Sequence, residues 1–394
     1  MLLIDLTHTS HTHARTGIQR VARALHQHLG PTATPITRDP FVGAWRALEP
    51  WELANLASSR GGHKRKAQWP ATAKWRGRIR RALGRTARHA LPRHDFAGLI
   101  VPELFGASAA RDFPKLFQHV RGPRVALFLD AIPLRFPEFT PPATVARFPS
   151  YLQELLMFDG IAAISEESRD SLTAYWRWLG LSSSNTPPVT ALPLGVDFEV
   201  CHLIDDKPPA PSRPVVLCVG TLEGRKNHLA LLDACEQLWS QNSNFELRII
   251  GHVNAETGGA AHTRLRALQA AGRPLRFDGP ATDETIAEAY ATCAFTVYPS
   301  IAEGFGLPVI ESLARGKPCI CSGRGALGEI SQHGGCVPLD ALDATTLAHS
   351  IARLLAQPAE LAALSAAARQ RTFKSWADYT RQLTAWMQSL PPRR

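Results

Sequence analysis

Two successive blocks of alternating strand and helix patterns predict an α/β protein built from two doubly wound parallel sheets. Three observations carry that expectation. In the first half, apolar runs at 2–6, 125–129 and 161–164 alternate with helical periods, among them Ile18, Val21, Ala22 and Leu25 on one face of 17–29. In the second half, strand-like runs recur at 215–219, 245–250, 294–298 and 318–321 with helical stretches between them. Such alternation implies parallel strands joined by crossover helices. Between the halves stands Asp205-Asp206-Lys207-Pro208-Pro209-Ala210-Pro211, where the missing N–H groups and fixed φ of the prolines exclude regular structure.

The expected organisation is therefore an N-terminal Rossmann-like domain at 1–197, a linker at 198–213, a second Rossmann-like domain at 214–374 and a C-terminal helix at 375–394. A length of 394 residues agrees with more than one domain. In the final helix Trp376, Tyr379, Leu383 and Trp386 recur at spacings of three and four, a stripe that must be buried, with the N-terminal domain as one candidate surface.

Composition narrows the class. With 45% hydrophobic and 20% charged residues the chain resembles ordinary globular proteins, and it contains no apolar run long enough to span a bilayer. Met1 to Leu6 lead straight into a Thr/His-rich loop without a basic stretch or a cleavage site, so a cytoplasmic location is expected. The seven cysteines form an odd set, several of them in apolar strand runs, and are expected as reduced, buried thiols. Cys319 and Cys321 have no second pair at zinc spacing, and His8, His11 and His13 lie in a polar turn without a flanking carboxylate or thiol, so no metal is expected.

The net charge of +10 is local. Residues 60–93 hold twelve Lys/Arg and no Asp/Glu, and the rest of the chain has 32 basic against 34 acidic residues. Within this segment Trp75, Ile79, Leu83 and Ala87 recur every four residues against Arg76, Arg80, Arg81, Arg85 and Arg88, a basic amphipathic helix over 71–90. Its candidate partners are an anionic membrane surface or another anionic ligand, with a solvated helix as the structural alternative and nucleic acid disfavoured by the lack of an RNA-binding aromatic motif.

The chemistry is concentrated in Ser300-Ile301-Ala302-Glu303-Gly304-Phe305-Gly306-Leu307-Pro308-Val309-Ile310-Glu311, which follows a strand and enters a helix. Its glycines admit a ligand close to the backbone, and Pro308 suits a first helical turn, so the amides near Gly304, Phe305, Gly306 and Leu307 form a seat for phosphate. Glu303 and Glu311 frame the seat, where carboxylates accept hydrogen bonds from hydroxyls at about 1.5–3 kcal/mol each. The alternative for each is a helix-capping role. Arg225 and Lys226 follow the first strand of the second domain, at the carboxyl edge where ligands of such sheets bind, and can neutralise a bound phosphate; a solvated surface pair is the alternative.

Glu-x7-Glu enclosing Gly-Phe-Gly-Leu-Pro, after Tyr298-Pro299-Ser300, closely resembles glycosyltransferase family 4. The likeness extends to Thr16-Gly17-Ile18-Gln19-Arg20, Asp130-Ala131-Ile132-Pro133, Phe136-Pro137-Glu138, Leu194-Gly195-Val196-Asp197 and Gly220-Thr221-Leu222-Glu223-Gly224-Arg225-Lys226-Asn227, but not to the basic segment. The resemblance implies the GT-B fold, two facing Rossmann-like domains, and a retaining, nucleotide-sugar-dependent hexosyltransferase. It implies that Glu303 contacts the transferred sugar, that the 305–307 amides hold the diphosphate, and that Glu311 binds the ribose. Gly17 then admits the donor phosphates, or is an ordinary helix-entry glycine. Many relatives carry Arg where Thr221 stands and His where Leu129 stands. The first departure shifts charge onto Arg225 and Lys226, and the second leaves Asp130 as a candidate acceptor-side or sugar-side carboxylate, or a turn cap.

The Thr-Gly-Ile-Gln-Arg start looks like mannosyl- and rhamnosyltransferases of bacterial surface polysaccharides. GDP-mannose is the first donor expected, ahead of a GDP-deoxyhexose, UDP-glucose or dTDP-rhamnose, with a glycan or lipid-linked acceptor and no cofactor or divalent ion. A sugar-nucleotide epimerase on the same fold and a catalytically silent subunit of a glycan assembly complex are the alternatives.

Overall fold

The computed structural model describes residues 1–14, 16–58, 67–83, 91, 95–196 and 212–391. Its first sheet contains β1 (Leu2–Asp5), β2 (Ala33–Asp39), β3 (Ala44–Ala47), β4 (Gly98–Val101), β5 (Arg124–Phe128), β6 (Gly160–Ala163) and β7 (Val189–Ala191), in the spatial order β3-β2-β1-β4-β5-β6-β7. Every neighbouring pair is parallel except β2 and β3, so the sheet ends in one antiparallel edge strand. All residues of β4 and β6 are buried, as strands covered on both faces require.

The second sheet contains β8 (Val215–Val219), β9 (Glu246–Ile250), β10 (Leu275–Gly279), β11 (Phe295–Tyr298), β12 (Cys319–Ser322) and β13 (Cys336–Leu339). Its order, β10-β9-β8-β11-β12-β13, is fully parallel and is the dinucleotide-fold order 3-2-1-4-5-6. Its core unites Val216, Leu231, Leu247, Phe295, Ile320 and Ile351 from strands and flanking helices.

The chain divides into two compact units, one of Met1–Asp130, Ala146–Leu194 and Trp376–Arg394, the other of Ala131–Val145 and Gly195–Ser375. The stretch 131–145 thus clusters with the C-terminal unit, where the sequence pattern led us to draw an unbroken block to 197. The expected linker 198–213 lies almost wholly outside the described residues, as do 60–66, 84–90, 92 and 93 of the basic segment.

The terminal helix Trp376–Ser389 belongs to the first unit, where Trp376, Tyr379, Leu383 and Met387 are buried. A Cβ on Gly98 would fall 2.1 Å from the Met387 methyl, and one on Gly160 2.7 Å from Leu390. The helix therefore closes on the amino ends of β4 and β6 because those strands begin with glycine. The helix Ala71–Ala82 packs through Ala73 and Gly77, whose Cβ would meet Phe41 at 2.7 Å.

Candidate functional site

Strand order reverses between β8 and β11, and ligands of open parallel sheets bind outside the carboxyl ends of the strands at such a switch point. The loops leaving these two strands carry Arg225 and Lys226, and Glu303. They are laced together by backbone: Ile301 N donates to Arg225 O at 2.8 Å. The Glu303 carboxylate then gathers the side chains. Its Oε2 lies 2.8 Å from Arg225 Nη1, and its Oε1 accepts from Lys226 Nζ, Tyr298 Oη at 2.9 Å and Ser300 Oγ at 2.5 Å. Arg225 also donates to Ala302 O at 2.8 Å and pairs with Glu223 at 2.8 Å.

The cluster is buried, with 9% of the Glu303 side chain exposed and 10% of Lys226, so its charges interact with little solvent screening. Burial pushes the Glu303 carboxyl up, but Arg225 and then Lys226 outweigh it and hold the pKa at about 2. Burial and the Glu303 charge raise the Tyr298 phenol well above its ordinary value, so it stays protonated and donates. Two cations and the two carboxylates Glu223 and Glu303 balance within the cluster. The cations expected to face a diphosphate and the carboxylate expected to face a sugar are one electrostatic unit.

Local sequence explains the geometry. Asn227 adopts a left-handed φ of 56° and donates Nδ2 to Leu342 O at 2.8 Å, turning the chain from the Arg225-Lys226 loop into the helix His228–Ser240. Gly306 has φ 108°, and a Cβ there would strike Leu327 at 2.5 Å, so only glycine allows the turn into the helix Leu307–Ala314. Pro308 stands in the first turn of that helix, whose initial amides have no intrahelical acceptor. Gly304 and Phe305 precede this turn, and Glu311, half-buried, lies one turn inside it. Phe139 packs at the position of Gly224, where a Cβ would come within 2.8 Å, so the Phe136-Pro137-Glu138 run adjoins the cationic loop.

In the first unit the order reverses between β1 and β4. The loop after β1 is tied to Glu103, just past β4, whose carboxylate accepts from His8 N and Thr9 N at 2.9 Å. Gly17 opens the helix Gly17–Leu29, and among the described residues nothing lies within 4 Å of where its Cβ would stand. Packing inside the protein therefore does not demand glycine there. Asp130 follows β5, half-buried, and adds to the burial that raises the Tyr151 phenol.

Residues 203–371 match the family model described as Glycosyl transferases group 1. The chain is 25% identical over 350 residues to the serotype-specific mannosyltransferase WbdA of Escherichia coli, covering 84% of this chain and 40% of that protein. It is 31% identical over 169 residues to the O-antigen chain mannosyltransferase B of Escherichia coli, covering 42% of this chain and 43% of that one. The chain thus spans about two fifths of the length of these curated relatives. Among solved structures it matches sucrose-phosphate synthase from Thermosynechococcus elongatus (TM-score 0.69, 18% identity, 99% and 98% of the two chains) and Anabaena Alr3699/HepE in complex with UDP (TM-score 0.68, 15% identity, 99% of each). Residues 203–371 thus resemble the group 1 glycosyl transferases, and the chain as a whole shares the fold of these solved structures.

The family 4 resemblance and the GT-B fold, two Rossmann-like domains with a C-terminal helical segment, stand as the motifs indicated. The structure unites Arg225, Lys226 and Glu303 and carries Gly304 to Glu311 on the same loop and helix, while Gly17 and Asp130 belong to the other unit. Sequence reasoning missed Glu223, Tyr298 and Ser300 as partners of the cluster, although all three stand inside the motifs. It also misjudged His11. That imidazole is buried and paired through Nε2 with Glu52 at 2.7 Å, a carboxylate supplied from 41 positions along the chain. Among the described residues no group of three or more His, Cys, Asp or Glu is arranged to hold a metal ion, and the six described cysteines are free and buried. None of the described helices is long and apolar enough to cross a membrane.

Proposed function

We propose that this glycosyltransferase moves a hexose, mannose from GDP-mannose as first choice, to a glycan or lipid-linked acceptor of surface polysaccharide synthesis, with retention at the anomeric carbon and without a divalent ion. The observation that carries the reading is the Arg225–Glu303–Lys226 cluster at the β8/β11 switch point. Charge on the leaving diphosphate is met by fixed cations and by the amides at the start of Leu307–Ala314, and donors preorganised in a buried site need no reorganisation as that charge develops. The mannosyltransferase relatives support the sugar, and the neighbour in complex with UDP supports a nucleotide-linked donor.

In the proposed step the anomeric carbon–phosphate oxygen bond breaks while the acceptor hydroxyl forms a new bond on the same face. The acceptor proton passes to the departing diphosphate oxygen, so no enzyme nucleophile is consumed. Glu303 holds Arg225 and Lys226 in place and faces the sugar; Glu311 takes the ribose hydroxyls; Gly17 admits the phosphates; Asp130 serves the acceptor side. Thermal-shift measurements with nucleoside diphosphates test the donor: GDP should raise the melting temperature more than UDP, by mass action on the folded state. No shift with any nucleotide would refute the site, and a β-configured product by proton NMR would refute retention.

A second reading concerns the basic helix. Ala73 and Gly77 are packed, whereas Trp75 within the helix and Leu83 at its end are 67% and 58% exposed, with Lys74, Arg76 and Arg78 also exposed. An outward apolar stripe flanked by cations suits adsorption to an anionic membrane surface, where each cation contributes about 1 kcal/mol. These exposed groups support a peripheral location on the cytoplasmic face of a membrane, which we propose.

A further inference from the structure

A chain of buried polar groups in the first unit ends on an aromatic wall. Arg46, 3% exposed, bridges Asp39 through Nε at 2.9 Å and grips Glu52 with Nη1 at 2.7 Å and Nη2 at 2.9 Å. Glu52 Oε1 lies 2.7 Å from His11 Nε2, and His11 Nδ1 lies 2.7 Å from Thr7 O, so both ring nitrogens are engaged and the imidazole plane is fixed. Upon that plane the indole of Trp69 is stacked, with centroids 3.8 Å apart and an interplanar angle of 18°. Trp51 stands at 65° to Trp69, 5.9 Å away, its Nε1 held by Glu49 at 2.9 Å.

Burying Asp39, Arg46, Glu52 and His11 together is an expensive way to fill a core, because desolvation offsets much of the attraction and apolar side chains would stabilise equally well. What the network does achieve is orientation. It sets two half-buried indoles at a fixed angle along a cavity of about 510 Å³, lined also by His13, Asn55 and Gln68. That volume suits a small molecule or a short segment of a polymer. Asn55 donates Nδ2 to Ser10 O at 2.8 Å, while its buried Oδ1 meets no donor among the described residues.

The cavity lies on the loop that follows β1, beside the β1/β4 reversal where ligands of such sheets bind. None of its described lining residues carries a permanent charge. The Gln68 amide and the Asn55 Oδ1 offer donors and acceptors that match sugar hydroxyls. Flat indoles match the C–H face of a pyranose ring, an apolar body with polar edges.

We propose that Trp51 and Trp69 form a platform for a neutral pyranose residue of the acceptor glycan. The inference rests on the transferase reading and names an acceptor subsite within it, built on segments that the family motifs do not reach.

Two measurements on the full chain test it separately from that reading. In the first, the protein is applied to an array of neutral and anionic oligosaccharides, and the retained sugars are titrated against tryptophan fluorescence. Retention of neutral sugars is expected, with binding lost in Trp51→Ala and Trp69→Ala and preserved in part by Trp69→Phe. Retention of no neutral sugar, or unchanged binding in folded Trp51→Ala, overturns the platform. In the second, the acceptor KM should rise at least tenfold in Trp51→Ala and Asn55→Ala, while donor hydrolysis without acceptor and the thermal shift by nucleotide stay as in the parent. An unaltered acceptor KM overturns the platform and leaves the transferase standing; loss of donor hydrolysis and nucleotide binding in the parent overturns the transferase, and the array still decides the platform.

Discussion

The Glu303 carboxylate lies 2.8 Å from the Arg225 guanidinium, although the two residues leave different, adjacent strands of one sheet. The consequence is that Arg225 and Lys226 are stabilised in a buried position before any phosphate arrives. Removing Glu303 therefore acts on stability as well as on chemistry.

Glu303→Gln should lower transfer strongly and also lower the melting temperature of the free protein, because buried Lys226 loses its carboxylate and Arg225 keeps only Glu223, at a cost of about 3–5 kcal/mol. Added nucleoside diphosphate should restore part of the lost stability by supplying negative charge. Calorimetric scans with and without nucleotide check this; an unchanged melting temperature in the free variant would show that the pair is not a structural unit.

Asp5 gives a pH dependence of opposite sense to that of Glu303. Burial, with a further push from Glu103, raises its pKa from 3.8 to about 7 against the hydrogen bonds from Thr7. The folded state thus binds this proton more tightly than the unfolded chain, and stability falls as pH rises from about 4 through 7. Glu303, held at about 2, contributes stability that is present above 4.5 and lost as pH falls toward 2. Asp5→Asn should flatten the decline on the neutral side, and denaturant titrations between pH 4 and 8 measure it.

Gly17→Ala should leave folding intact or slightly improved, since the Cβ meets open space and alanine favours a helix by up to about 1 kcal/mol. If donor phosphates approach that backbone, the donor KM should nonetheless rise. Steady-state kinetics beside a thermal melt separate the two effects, and wild-type kinetics would return Gly17 to an ordinary helix entry.

Trp75→Ser combined with Leu83→Ser should weaken co-sedimentation with vesicles containing anionic lipid severalfold, while donor hydrolysis is unchanged. Raised salt should weaken binding of the parent as well, because the cations act through a screened field. Equal partitioning of variant and parent would remove the membrane reading.

What the sequence determined by itself was whatever is written locally. The strand and helix alternation, the turn glycines such as Gly306, and the cations after β8 were legible because neighbouring residues create them. The same holds for Glu303, whose loop is specified by the glycines and proline beside it. Tertiary structure alone decided which distant groups meet. It carried Glu52 to His11, joined the Trp69 ring to that imidazole, turned Trp75 outward, and locked Arg225 and Lys226 onto Glu303. The physical reason is that burial and charge pairing depend on distance in space. A periodic pattern identifies a helix face, but only the packed fold says whether that face meets a core, another charge or water.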